Sequence, residues 1–139
     1  RQVAAESLAN AEPDSYDLVT CLEMLEHVPD PPAVVAALAG LVRPGGDVVC
    51  STISRNAKAF ALAIVGAEYL LRLLPMGTHQ YARLIRPSEL ARWARAAGLE
   101  IADMAGLQYN PATRQARVSA DTSVNYLVHF RRPAAVAGA

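Results

Sequence analysis

Residues 16–53, YDLVTCLEMLEHVPDPPAVVAALAGLVRPGGDVVCSTI, contain the pattern that decides the fold. The apolar run 16–22 follows a polar segment and is typical of a buried parallel strand, and 48–53 has the same character. Between them, Asp30 is expected to cap a helix that has Pro31 at its first position. Two strands joined by a helix normally lie parallel, so this segment predicts an open α/β sheet with helices on both faces.

The elements on either side of the second strand are predicted in the same way. Arg43 is expected in the last turn of the first helix, and Pro44-Gly45-Gly46 should stop that helix. Further elements follow at 57–74 (helix), 87–98 (helix with Leu90 and Trp93 in the core), 99–107 (strand) and 124–130 (strand). The last two strands are candidates for antiparallel pairing.

The composition indicates a single domain. The chain has 139 residues, of which 53% are hydrophobic and 19% are charged, which suffices for one sizeable core at 1–133 with a frayed tail at 134–139. The 13 basic residues balance the 13 acidic ones, so the net charge does not favour nucleic acid. Cys21 and Cys50 lie in apolar runs and are expected to be buried and reduced, as in the cytoplasm. A first residue Arg1 in place of methionine suggests a fragment.

The order strand, Glu23-Met24-Leu25-Glu26-His27-Val28-Pro29-Asp30-Pro31, helix, Arg43-Pro44-Gly45-Gly46, strand resembles the Rossmann-like methyltransferases that use S-adenosylmethionine. Downstream, five segments are similar to the ubiquinone-biosynthesis O-methyltransferase family: 51–56, 65–69, 77–79, 106–111 and 124–126. The resemblance implies an α/β, Rossmann-like methyltransferase fold of which this chain is the C-terminal portion. An apolar helix is inserted in it.

The cofactor loop of that family has no counterpart in the chain. The family carries a glycine-rich loop after its first strand and an acidic residue after its second, and no Gly-x-Gly-x-x-Gly occurs here. The first strands are therefore expected to precede Arg1 and to complete the sheet beside residues 16–22. The 139 residues alone are expected to bind cofactor poorly.

The resemblance implies S-adenosylmethionine-dependent O-methylation of a polyprenylated catechol in ubiquinone biosynthesis, and association with other enzymes of that synthesis. A second hypothesis keeps the methyltransferase and changes the acceptor to a soluble phenol or other small metabolite. A third, from another class, is a non-catalytic module that binds a membrane surface.

Methyl transfer to a phenol requires alignment, exclusion of water and removal of the phenolic proton. Glu23, Glu26 and His27 follow the first strand at i, i+3 and i+4, so one helical turn would place them on one side, at the ligand-binding edge. This placement, where a phenol must lose its proton, predicts that Glu23 and His27 are catalytic. The resemblance implies that all three residues contact a divalent ion, Mg²⁺, and that Leu22 lies against the cofactor. The alternative is that Glu26 pairs locally and His27 is a hydrogen-bonded pocket residue.

Residues 58–80 are predicted to lie on an anionic membrane surface, which would place the protein at the cytoplasmic face. Lys58, Glu68 and Arg72 interrupt the apolar run before it reaches the ~20 residues of a spanning helix. The family resemblance, in which this region contacts lipid, favours interfacial docking. The alternative is a helix that covers the substrate pocket and buries its apolar face internally.

Overall fold

A mixed sheet of five strands organises the molecule, whose computed structural model describes residues 2–56, 81–110 and 113–134. The elements in chain order are α1 (Ala5–Ala11), β1 (Tyr16–Leu22), a 3₁₀ turn (Leu25–His27), α2 (Pro31–Leu41), β2 (Val42–Ile53), a second 3₁₀ turn (Tyr81–Arg83), α3 (Pro87–Ala96), β3 (Glu100–Asn110), β4 (Gln115–Ser119) and β5 (Asn125–Arg131).

The strand order in the sheet is β1-β2-β5-β3-β4, with β1 and β2 parallel and the other neighbours antiparallel. The parallel pair joined by α2 and the antiparallel pairing of β3 with β5 are therefore confirmed. Because β5 runs against both β2 and β3, those two strands point the same way. The carboxyl ends of β1, β2 and β3 consequently meet at one edge of the sheet, where ligands collect in open α/β folds.

One hydrophobic core lies between the sheet and the helices α2 and α3. Its fully buried members include Val35 of α2, Leu90 of α3 and Phe130 of β5. Trp93 packs against this core and is half-buried. Cys21 and Cys50 are free, buried and opposite each other on β1 and β2, as predicted. The helices α2 and α3 thus lie on the same face of the sheet.

The boundary between α2 and β2 differs from the prediction. The helix ends at Leu41, and Arg43 and the Pro44-Gly45-Gly46 segment belong to the long strand β2. Each position requires glycine for a different reason. Gly45 has a φ of 82°, in the left-handed region, and a Cβ on Gly46 would lie 2.8 Å from the Asp17 carbonyl oxygen. The close approach of two backbones therefore lets this segment join the sheet, where a helix stop alone was expected.

Two elements were not predicted, α1 and β4. Neither contains a fully buried residue, and β4 is exposed along nearly its whole length, so no apolar periodicity marks them. The strand β3 also runs on to Asn110, beyond the predicted end at residue 107. The longer β3 and the strand β4 pair antiparallel and form a hairpin, and this pairing rests on backbone hydrogen bonds.

The predicted insertion at 58–80 lies outside the described residues, as do residues 135–139 of the predicted tail. Among the helices that the structure describes, none has the length and apolar character needed to cross a membrane.

Candidate functional site at the carboxyl edge of the parallel strands

Glu23 follows directly on β1 and has an unusual backbone conformation. Its φ of 50° lies in the left-handed region, which non-glycine residues seldom adopt. The Glu23 N–H donates to the Ser51 carbonyl oxygen at 3.0 Å and to Ser51 Oγ at 3.1 Å. These bonds from β2 hold the backbone where β1 ends, beside the exposed Leu22.

The Ser51 side chain also holds the Glu23 carboxylate. Ser51 Oγ donates a hydrogen bond of 2.6 Å to Glu23 Oε1, and Ser51 itself is 4% exposed. One hydroxyl therefore bonds to both the backbone and the side chain of Glu23, which is otherwise exposed. Such a carboxylate has a defined position and remains accessible to a ligand.

Glu26 is held by the next residue of β2 but in a different environment. Thr52 Oγ1 donates to Glu26 Oε2 at 2.8 Å, and both residues are buried. Glu26 Oε1 is buried as well, and the described residues provide it with no hydrogen-bond partner. A buried carboxylate oxygen without a donor is unfavourable and is normally satisfied by a water or a ligand.

A cavity of about 310 Å³ lies next to Glu26. Its walls come from the segment after β1, from Arg55 after β2, and from the residues that lead into α3, including Glu89 and Trp93. Arg55 forms an ion pair with Glu89 and donates to the Ala82 carbonyl oxygen at 3.2 Å. The cavity therefore opens at the ligand-binding edge of the sheet and contains an internally neutralised charge pair.

Tyr126 of β5 closes the core behind this region. Its hydroxyl donates to the Ile85 carbonyl oxygen at 2.9 Å, and burial raises the pKa of the phenol well above its usual range. Tyr126 consequently stays protonated and acts as a fixed hydrogen-bond donor between β5 and the segment before α3. It supports the wall of the cavity and is not available as a base.

Comparison with known proteins identifies the family of the chain. Residues 1–103 match a protein family described as a methyltransferase domain. The chain belongs to that family.

The methyltransferase domain is also similar to named enzymes of ubiquinone synthesis, which confirms the resemblance seen in the sequence. It is 59% identical to the ubiquinone biosynthesis O-methyltransferase of Methylococcus capsulatus over 97% of this chain and 57% of the relative. It is 63% identical to the enzyme of the same name from Ralstonia nicotianae over 95% of this chain and 56% of the relative. The chain therefore spans somewhat more than half the length of these relatives.

Solved structures confirm the Rossmann-like methyltransferase fold. A Thermotoga maritima S-adenosylmethionine-dependent methyltransferase, a possible histamine N-methyltransferase, superimposes with a TM-score of 0.60 at 11% identity, over 87% of this chain and 58% of that one. A Methanosarcina mazei S-adenosylmethionine-dependent methyltransferase gives a TM-score of 0.60 at 14% identity, over 89% and 62% of the two chains. At such identities the likeness concerns the fold alone.

The expected single-sided cluster of Glu23, Glu26 and His27 is absent from the methyltransferase domain. The 3₁₀ turn begins only at Leu25, and the left-handed Glu23 precedes it, so the i, i+3, i+4 geometry of one helical turn does not apply. Glu26 is buried whereas His27 is exposed. No three histidine, cysteine, aspartate or glutamate side chains converge within 2–56, 81–110 and 113–134. The residues as placed therefore do not fit a magnesium site.

Ser51, Thr52 and Arg55 line the site but are not among the residues that the sequence predicts for it. Ser51 and Thr52 belong to a segment that resembles the family, but two hydroxyl residues at the buried end of a strand are themselves a signal. A buried hydroxyl in an apolar strand needs a partner, and the acidic residues after β1 were the available candidates. Arg55 carried no local pattern, because its partner Glu89 lies 34 positions away.

Proposed function

We infer that the protein containing this methyltransferase domain transfers a methyl group from S-adenosylmethionine to a hydroxyl of a polyprenylated catechol in ubiquinone biosynthesis. The observation that carries the proposal is the identity of about 60% to enzymes named for that synthesis over nearly the whole chain. The carboxyl edge of the sheet adds a positioned carboxylate, Glu23, of the kind that phenol methylation requires.

The proposed roles follow from where each residue lies. Glu23 accepts the proton of the reacting phenol as the oxygen becomes nucleophilic, and the bond from Ser51 holds its carboxylate in position for this transfer. His27, exposed in the 3₁₀ turn, is the second candidate to hold or pass on that proton. The exposed Leu22 provides an apolar contact for the cofactor at the end of β1. When bound, S-adenosylmethionine supplies the methyl group and leaves as S-adenosylhomocysteine.

The activity is tested with the protein that the complete gene encodes, supplied with S-adenosylmethionine and three acceptors. These are a polyprenyl catechol, a short-tailed alkyl catechol and a soluble phenol. Higher kcat/KM on the polyprenyl catechol supports the proposal. Equal or higher kcat/KM on the soluble phenol would favour the small-metabolite alternative, and folded protein without turnover on any acceptor would favour a non-catalytic binding module.

The apolar acceptor motivates a second part of the proposal, in which residues 58–80 dock on the cytoplasmic surface of an anionic membrane. The support is in the sequence, which combines apolar residues such as Phe60 and Leu70 with the cations Lys58 and Arg72. Membrane docking would bring the protein to its acceptor and to other enzymes of ubiquinone synthesis.

Vesicle co-sedimentation tests the docking. We expect the complete protein to bind vesicles that contain anionic lipid more than neutral vesicles, and to lose binding at high salt. Replacing Leu70, Leu71, Leu73 and Leu74 by serine should abolish binding. Equal and negligible binding to both vesicle types would leave the segment as an internal pocket cover.

A further inference from the structure

The helix α3 and the turn before it carry a group of exposed arginines, which we call the arginine face. Its members are Arg83, Arg86, Arg92 and Arg95. None of them forms an ion pair with another residue that the structure describes. Glu89 is the one acid between positions 81 and 99, and it already pairs with Arg55. The described surroundings therefore leave the positive charge of this face unbalanced.

The fold requires a polar outer face on α3 but does not require arginine there. Leu90 and Ala94 bury one side of the helix in the core, and Arg92 and Arg95, three positions apart, share the opposite side. Water solvates acidic, neutral and basic side chains equally well at such positions, and surfaces normally mix both signs. The charge of one sign on this face therefore points to a partner of opposite charge.

Other arginines of the chain behave differently from those of the arginine face. Arg43, Arg131 and Arg132 each form an ion pair with an aspartate. The chain as a whole is also balanced, with 13 basic and 13 acidic residues. The excess positive charge is consequently local to α3 and acts over about one Debye length, roughly 8–10 Å at physiological salt.

The arginine face begins at the ligand-binding edge of the sheet. The Ile85 N–H donates to the carbonyl oxygen of Ile53, the last residue of β2, at 3.1 Å. Arg83 and Arg86 lie on either side of Ile85 in the chain, so they are next to this edge. From Arg86 to Arg95 the helix rises by about 13 Å at about 1.5 Å per residue. The face thus extends from the site along the flank of the domain.

We propose that the arginine face binds the phosphates of anionic lipid headgroups and forms a two-part membrane contact together with residues 58–80. The inference rests on the proposed docking of residues 58–80, which supplies the apolar part of the contact and ends directly before the turn that contains Arg83. Guanidinium groups match phosphate oxygens in geometry and charge. A neutral chain has no long-range attraction for nucleic acid, whereas a local basic surface suffices beside an anionic leaflet. Contact through both parts turns the ligand-binding edge towards the lipid that holds an apolar acceptor.

Vesicle binding by the complete protein tests the inference. The vesicles consist of phosphatidylcholine alone or of phosphatidylcholine and phosphatidylglycerol in equal amounts. The variant that combines Arg92→Gln with Arg95→Gln removes two charges from the arginine face. Each arginine near an anionic leaflet contributes about five-fold to binding, so this variant should bind the mixed vesicles about 25-fold more weakly than wild type. Its binding to phosphatidylcholine alone should equal that of wild type.

Two controls separate the position of the charges from their number. Arg114→Gln with Arg117→Gln removes the same charge from exposed residues at the hairpin of β3 and β4, and this variant should bind as wild type does. Arg92→Lys with Arg95→Lys keeps the charge of the arginine face and should retain most of the binding. Thermal unfolding of each variant separates loss of binding from loss of fold.

The outcomes distinguish this inference from the proposed function, because vesicle binding does not depend on methyl transfer. Wild-type binding of the Arg92→Gln, Arg95→Gln variant to mixed vesicles would overturn the inference, and so would an equal loss in the hairpin control. Tighter binding of wild type to a double-stranded oligonucleotide than to mixed vesicles, at the same ionic strength, would overturn it in favour of nucleic acid. Loss of binding in the arginine variant, with normal binding when the leucines of 58–80 are serine, would support the arginine face and count against docking by that segment. Binding of wild type to neither vesicle would overturn both.

Discussion

Glu23 and Glu26 stand three residues apart in the chain and lie in different environments. Glu23 is exposed and bonds to Ser51, whereas Glu26 is buried and bonds to Thr52. Successive residues of a strand point to opposite faces, so the two hydroxyls that hold the carboxylates lie on opposite faces of the sheet. Thr52 faces the core that α2 and α3 cover, and Ser51 faces away from it.

From this difference we expect the two carboxylates of one short motif to have separate tasks. Where environments differ, equal side chains take different roles in catalysis and binding. The accessible Glu23 is suited to exchange a proton with a substrate, whereas the enclosed Glu26 is held inside the fold by Thr52. The predictions below test whether this division holds.

The largest effect is expected for Glu23→Gln, which keeps the size of the side chain and removes its basicity. Turnover of the complete protein should fall by about 10²-fold or more, because positioned acid–base groups contribute on that scale. Unfolding free energy should change by about 0.5 kcal/mol or less, since the residue is exposed. Steady-state kinetics and thermal unfolding measure the two quantities.

The matched control is Glu100→Gln, which changes an exposed acid at the start of β3, far along the chain from the site. It should keep wild-type turnover. His27→Ala is expected to lower turnover as well, if the imidazole relays the proton. Near-normal turnover in a folded Glu23→Gln protein would mean that Glu23 is not the base and would leave His27 as the candidate. It would contradict the separate roles of Glu23 and Glu26.

A smaller effect is expected for Ser51→Ala, which removes the hydroxyl that holds Glu23. We expect kcat to fall about ten-fold, the value of one hydrogen bond to a charged group. If Ser51 acts through Glu23, the substitution should have no further effect in a Glu23→Ala background. Ser51→Thr, which restores a hydroxyl, should recover part of the loss.

Thr20→Ala on the neighbouring strand β1 is the control for Ser51→Ala, since Thr20 also carries a hydroxyl but is exposed, whereas Ser51 is buried. Its kcat should equal that of wild type. Additive effects of Ser51→Ala and Glu23→Ala in a double-mutant cycle would show that Ser51 acts on the fold in general and not on Glu23.

The smallest effect is expected from a chelator. Glu23 and Glu26 are held by different hydroxyls and do not form a metal-binding group with any third residue that the structure describes, so EDTA should leave the turnover of the complete protein unchanged. The measurement compares initial rates with EDTA, with added Mg²⁺ and with neither. Loss of activity that Mg²⁺ restores would mean that Glu26 turns away from Thr52 to join Glu23, and it would contradict the separation of roles.

Much of the fold could be predicted from the sequence because its signals are local. The strand β1 and the helices α2 and α3 follow from apolar runs and caps, and Asp30 does accept the Ala33 N–H at 3.1 Å at the start of α2. The strand β4 could not be predicted, since exposed residues carry no periodicity and its place depends on pairing with β3. Backbone pairing between distant segments does not require a particular residue pattern in either segment, so the sequence of β4 does not reveal it.

The sequence by itself determined the family, the parallel strand–helix–strand unit and the edge of the sheet at which the acidic residues would gather. Only the tertiary structure decided which carboxylate is exposed and which is buried. Spacing at i, i+3 and i+4 implies one face only within a continuous helix, and the left-handed backbone of Glu23 interrupts that geometry. The bonds from Ser51 and Thr52, 28 and 26 positions away, then hold one side chain exposed and the other buried.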